Sequence, residues 1–174
     1  MTDQIKPHIH VLAQTARARP GHRHILVYDE LMHEDRIGAL CPEPRFVTTA
    51  RYLSRRFTIN SDGVATARPR RDHVVHGVVW EVHDIGLAAL DIALGVPSIY
   101  DRFGAFARGP AGELIISEFY ATRNNRSLGT AKPEYLNVIL DAARHWKFSA
   151  SYLDEIAGWT RPEQGTTTRT RGAR

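Results

Sequence analysis

A chain of 174 residues, 43% hydrophobic and 24% charged, suits one globular domain with a sizeable core and is too short for two. The formal charge of +4 invites a nucleic-acid reading, but residues 1–24 and 161–174 carry +3 each, so the body between them carries −2. Cys41 is the single cysteine, which excludes an internal disulfide and a cysteine-based zinc site.

Residues 1–23 read as an N-terminal extension, in which Ile9, Val11 and Leu12 suggest a short element ending at Pro20-Gly21. No apolar run is long enough to span a bilayer and the N-terminus lacks an apolar signal core, so a cytoplasmic protein with no membrane contact is expected. From His24, the run Ile25-Leu26-Val27-Tyr28 reads as a buried strand that stops against two adjacent carboxylates, Asp29 and Glu30. Such a strand end presents backbone amides and side chains to a ligand.

Glu34 to Leu40 is expected to form a short helix that stops before Pro42. Phe46 to Asn60, rich in aromatic and β-branched residues, reads as one bent strand or two. Ser61-Asp62-Gly63 supplies a hairpin turn, Val64 to Arg68 returns as a strand, and Pro69-Arg70-Arg71-Asp72 reads as a loop. Val74 to Val82 is the strongest strand in the chain. Asp84 reads as the cap of the next helix, whose Leu87, Leu90 and Leu94 share one face before Gly95 closes it.

Two strands follow, Asp101–Ala107 and Leu114–Ala121, joined through Gly109-Pro110-Ala111-Gly112. Pro133 suits a first helical position, with Leu136, Ile139, Leu140 and Ala143 as the apolar stripe behind it. A last helix starts near Ser149 or Ser151 and carries Leu153, Ile156 and Trp159. Many short strands without alternating βα units predict an α+β barrel or strongly bent sheet. The tail 161–174, poor in apolar residues and rich in arginine, reads as basic and flexible. With no aromatic-interleaved basic surface, nucleic acid is not the expected partner.

Nine histidines raise the question of a metal. His8-x-His10 and His22-x-His24 put imidazoles on one side of an extended chain, but no cysteine or helical His-Glu-x-x-His accompanies them. The expectation is therefore no metal and no cofactor. His76 reads as a partly buried strand histidine and Cys41 as a buried structural thiol.

The order of these pieces is informative. The strand and Tyr28 turn, Cys41-Pro42, Gly63-Val64-Ala65-Thr66, Val75-His76-Gly77-Val78-Val79-Trp80-Glu81-Val82, and Leu90-Asp91 with Gly95-Val96 resemble the γ-glutamylcyclotransferase-like (AIG2-like) family. Tyr100, Pro133-Glu134-Tyr135-Leu136 and the Tyr152-Leu153 helix continue the resemblance, so that it covers residues 24–160. It implies a small, mainly antiparallel β-barrel flanked by helices and enclosing a cavity. Active members cyclise a γ-glutamyl amine or peptide to 5-oxoproline, without metal or cofactor.

This sequence departs from the family at the positions that chemistry needs. The substrate turn, Tyr-Gly-Ser-Asn or Tyr-Gly-Thr-Leu in the family, is Tyr28-Asp29-Glu30-Leu31 here. A side chain replaces the glycine that allows close approach, and two negative charges stand where a substrate carboxylate would be cradled. The family's catalytic Glu, in a pattern like Leu-Asp-x-x-Glu-Gly-Val, is Leu94. Ala131-Lys132 and Trp146-Lys147-Phe148 replace family Pro-Ser and Gly-Leu-Pro stretches.

The resemblance thus implies a degenerate cyclotransferase whose cavity holds a small neutral or cationic ligand, amine- or amino-acid-derived. Its lining would be Tyr28, Asp29, Glu30, Leu31, Leu94, Tyr100 and Tyr135. The alternative is an active enzyme of altered substrate, with Glu30 or Asp29 as acid/base. A monomer or homodimer is expected either way.

Overall fold

The computed structural model describes residues 15–160. In chain order the elements are β1 (Thr15–Ala16), β2 (His22–Val27), a 3-10 turn (Glu30–Met32), α1 (Glu34–Leu40), β3 (Arg45–Ile59), β4 (Ala65–His83), α2 (Asp84–Ala93), β5 (Tyr100–Arg108), β6 (Leu114–Thr122), α3 (Pro133–His145) and α4 (Ala150–Ala157).

The strands lie in the order β1-β6-β2-β4-β3-β5, and a further pairing of β6 with β5 closes the last five into a barrel. Pairings β2/β6 and β1/β6 are parallel and the others antiparallel, so the barrel is mixed but mainly antiparallel. Closure removes the free sheet edges that would otherwise expose unpaired backbone.

Within the barrel, rings from three strands cluster with Tyr28, which follows β2. Tyr28 stacks on Phe119 at 5.1 Å, Tyr52 and Phe103 pack against Phe119 at 4.7 and 5.4 Å, and Phe57 meets Tyr28 edge-on at 6.4 Å. At this level the interior is a packed aromatic core, because each ring buries a large apolar area against its neighbours. On the outside, α3 buries Leu136, Ile139, Leu140 and Ala143.

Several expectations are corrected. Residues 69–72 are not a loop: β4 runs unbroken through them. Pro69 pairs with Arg55 beside the register shift between Leu53 and Arg55, where Ser54 has φ +57°, so its missing N–H falls at a bulge that tolerates it. The cap of α2 is His83, whose side chain accepts from the Ile85 amide at 3.2 Å. Asp84 lies inside the first turn and pairs with Arg23 instead.

Trp159 follows the end of α4 at Ala157, and Ser149 is that helix's cap. Residues 15–23 are tied to the barrel, β1 to β6 and Arg19 to Glu81. Ile9, Val11, Leu12, His8, His10 and the tail 161–174 lie outside the described residues. No helix among the described residues is long and apolar enough to cross a membrane.

Candidate functional site

The Tyr28 turn is built where β2 leaves the sheet. Gly77 on β4 is bare for a reason: a Cβ there would stand 2.3 Å from the Val27 carbonyl oxygen, so only glycine lets β2 cross so closely. The chain then turns at Asp29, whose Oδ1 accepts the Leu31 amide at 3.0 Å and caps the 3-10 turn. Two indoles pin the turn from outside. Trp80 Nε1 donates to the Leu31 carbonyl at 3.1 Å and Trp146 Nε1 to the Met32 carbonyl at 2.9 Å. Neither tryptophan was foreseen in this role, since a ring 49 or 114 residues away leaves no local mark on the turn.

Tyr28 is equally fixed. Its hydroxyl donates to the Tyr120 carbonyl at 2.9 Å, Tyr120 donates to Asp91 Oδ1 at 2.7 Å, and Arg102 reaches the same oxygen at 3.0 Å. The Leu-Asp pair of α2 thereby braces the turn through two tyrosines.

The electrostatics of the turn are unusual. Asp29 is buried, and burial together with the negative charge of Glu30 pushes its carboxyl up to about 7, against the opposing hydrogen bond from the Leu31 amide. Glu30 is half-buried, and its Oε2 has no hydrogen-bond partner among the described residues. Burial raises the phenols of Tyr100 and Tyr135 as well, and the negative charge of Asp29 and Glu30 raises them further. Tyr135 accepts the Ala65 amide at 3.3 Å, which leaves its phenolic proton free to donate elsewhere.

The structure therefore draws Tyr28, Asp29, Glu30, Leu31, Tyr100 and Tyr135 into one neighbourhood. A cavity of about 360 Å³, lined by Asn60, Asp62, Ile99, Thr122 and Arg123 among others, meets this group at Tyr100. Leu94 is the C-cap of α2 and packs half-buried on the core just ahead of Gly95, whose φ is +65°. It contributes apolar surface and no polar contact. Among the described residues no three His, Cys, Asp or Glu side chains are grouped to hold a metal. Cys41 is buried, donates to the Gly86 carbonyl at 3.2 Å, and is raised to about 11 by burial.

Solved structures with this architecture include a γ-glutamyl cyclotransferase, 21% identical over 85% of this chain and 94% of that one, with TM-score 0.74. An uncharacterized protein from Homo sapiens has the same TM-score and identity and covers 86% and 95% of the two chains. A yeast γ-glutamyl cyclotransferase specific to glutathione matches at TM-score 0.54 and 12% identity, over 81% of this chain and 98% of that one. No curated protein matches the sequence. The molecule is a γ-glutamylcyclotransferase-like barrel. Residues 74–156 match the sequence model of the AIG2-like family.

Proposed function

We propose that this protein has lost the 5-oxoproline-forming reaction and binds a small neutral or cationic, amine-bearing ligand at the Asp29–Glu30 end of the barrel. The observation that carries the reading is Asp29, a buried carboxylate pushed up to about 7 by burial and by Glu30. A second negative group, such as a substrate carboxylate, is disfavoured beside this pair. A ligand ammonium would relieve the repulsion and satisfy the unpartnered Glu30 Oε2.

Leu94 supports the loss of chemistry, since leucine cannot take the proton that the family's Glu takes. A positioned general base contributes about 10²–10⁴ in rate. Because rings fill the barrel's middle, the ligand belongs at its end, beside Tyr100 and Tyr135. Incubation with γ-glutamyl dipeptides and γ-glutamyl amines should release no 5-oxoproline above background, while a panel of small amines should raise the melting temperature of the wild type more than that of Glu30→Gln. Enzyme-like 5-oxoproline release would overturn the proposal.

One observation favours a second reading. A carboxyl near 7 is matched to general acid/base work at neutral pH. On that reading Asp29 and Glu30 act on an amine-bearing substrate, and Asp29→Asn abolishes turnover while leaving the fold intact.

A further inference from the structure

The opposite end of the barrel holds a second polar group that the first does not explain. His24 precedes Tyr28 by four residues on the same strand line, about 13 Å away. It stands between two neighbours. In the antiparallel pairing it faces Glu81 of β4, with Nε2 at 3.6 Å from Oε2. The parallel pairing of Ile25 with Glu118 sets it beside Ser117 of β6. All three residues are at least nine-tenths buried.

Glu81 is fully engaged, with the Arg19 amide at 3.0 Å and the Arg19 and Arg45 guanidinium groups on Oε1. His24 and Ser117 are not. His24 Nδ1 and Ser117 Oγ are buried and have no hydrogen-bond partner among the described residues. Two orphaned polar atoms side by side are unfavourable unless something meets them.

What lies beside them is a notch. β1 pairs with Leu114 and Ile115 of β6, whereas β2 pairs with Glu118 and Phe119. The chain loops away between these two pairings, leaving Ile116 and Ser117 at the base of a cavity of about 200 Å³. Its walls carry His24, Ser117, Arg17, His22, Arg23 and Glu118. Two arginines answer the single Glu81 carboxylate, and Arg17 adds a further positive charge. Arg23 is paired with Asp84, and Glu118 with Arg102. The positive excess favours an anion, while Glu118 on the rim disfavours a doubly charged one.

We propose that this notch binds the carboxylate of a small monoanionic molecule, which meets Ser117 Oγ, His24 Nδ1 and the Arg17 guanidinium. A carboxylate accepts from all three, and it places a second negative group on the side of the imidazole opposite Glu81. His24 is held below its usual range, first by burial and least by Arg45, against the raising influence of Glu81 and of the Ile116 carbonyl. The groups around it are Glu81 on β4, Arg45 on β3, Ser117 and the Ile116 carbonyl on β6, Arg17 and Arg19 before β2, and His22 and Arg23 on β2 itself. Between two carboxylates the imidazole gains a proton from solvent, so that binding near neutral pH takes up a proton.

Sodium acetate is the probe, added to the full-length chain, with sodium chloride at equal ionic strength as control. Nitrogen-15 spectra of the imidazoles should show His24 moving toward the doubly protonated form on acetate addition. Calorimetry in two buffers of different ionisation enthalpy should show proton uptake. Ser117→Ala, which removes a hydroxyl and leaves the fold's apolar contacts, should weaken acetate about tenfold, the worth of one charge-assisted hydrogen bond. Arg17→Gln should weaken it by a smaller factor. Equal shifts with chloride, unchanged affinity in Ser117→Ala, or binding without proton uptake would each overturn the proposal. So would a His24 signal indifferent to acetate. Because the cyclotransferase-end ligand is amine-bearing and cationic or neutral, failure here leaves that reading untouched.

Discussion

Asp29 and Glu81 are both buried carboxylates near the two ends of β2, and they have opposite fates. Asp29 has Glu30 beside it, and burial together with that like charge pushes it up to about 7. Burial would raise Glu81 too, but the Arg19 amide and the Arg19 and Arg45 guanidiniums overcome it and bring the carboxyl down to about 2. Burial by itself therefore does not decide the state of a carboxylate; the partners at hydrogen-bond distance do. The Glu81 carboxylate is itself fully paired and ties β3, β4 and the chain before β2 together, although His24 and Ser117 beside it are not. Among the described residues no basic side chain is paired with Asp29 or Glu30.

The largest expected effect comes from breaking the Glu81 pairing. Glu81→Gln leaves two arginines without their carboxylate and should cost about 3 kcal/mol in urea unfolding at pH 7, the low side for a broken buried pair because both arginines are more than half exposed. Glu81 is a depressed carboxyl, so its contribution is complete above the unfolded value near 4.5 and is lost as pH falls toward 2. The gap between wild type and variant should accordingly close on acidification. A gap that stays constant from pH 7 to pH 2 would show that Glu81 acts through packing alone.

The relieved end should behave the other way. Asp29 is a raised carboxyl: the folded protein holds its proton up to about 7, whereas the unfolded chain releases it near 3.8. Stability is therefore lost as pH rises across that window. Asp29→Asn keeps an acceptor for the Leu31 amide and should be more stable than wild type by on the order of 2 kcal/mol at pH 8, with little difference at pH 4. A destabilised Asp29→Asn at pH 8 would mean that the carboxylate already has a counter-charge.

The smallest effect is a sharpening one. Glu30→Gln removes the like charge and leaves burial in place. The Asp29 carboxyl, followed by carbon-13 chemical shift, should fall by about one unit and still titrate above an ordinary aspartate. A return to the ordinary aspartate range would assign the whole shift to Glu30.

Much of this fold was legible from local chemistry. Helix α1 has its sequence-read limits, Glu34 to Leu40, because Pro42 follows it. Pro133 opens α3, Ser149 caps α4 and Gly95 closes α2 with positive φ, since each depends on residues within a turn of one another. Where neighbours competed, the reading slipped: His83 takes the cap that Asp84 was expected to hold, and Pro69 sits in a strand because β3 bulges opposite it. The candidate turn was legible as a departure from a family pattern, not as a chemical environment.

By itself the sequence determined most of the elements, the family resemblance, and the presence of Asp29, Glu30 and Leu94 where a glycine, a small polar residue and a base were expected. Periodicity, caps and turns act over a few residues, so they are written locally. Tertiary structure alone decided that Trp80 and Trp146 pin the turn, that rings fill the barrel, and that Glu81 meets Arg19 and Arg45, 62 and 36 residues away. Closing a barrel brings distant strands into register, and a carboxylate's charge state depends on what that register sets beside it. Asp29 and Glu81 are the same chemical group, and only the closed sheet tells them apart.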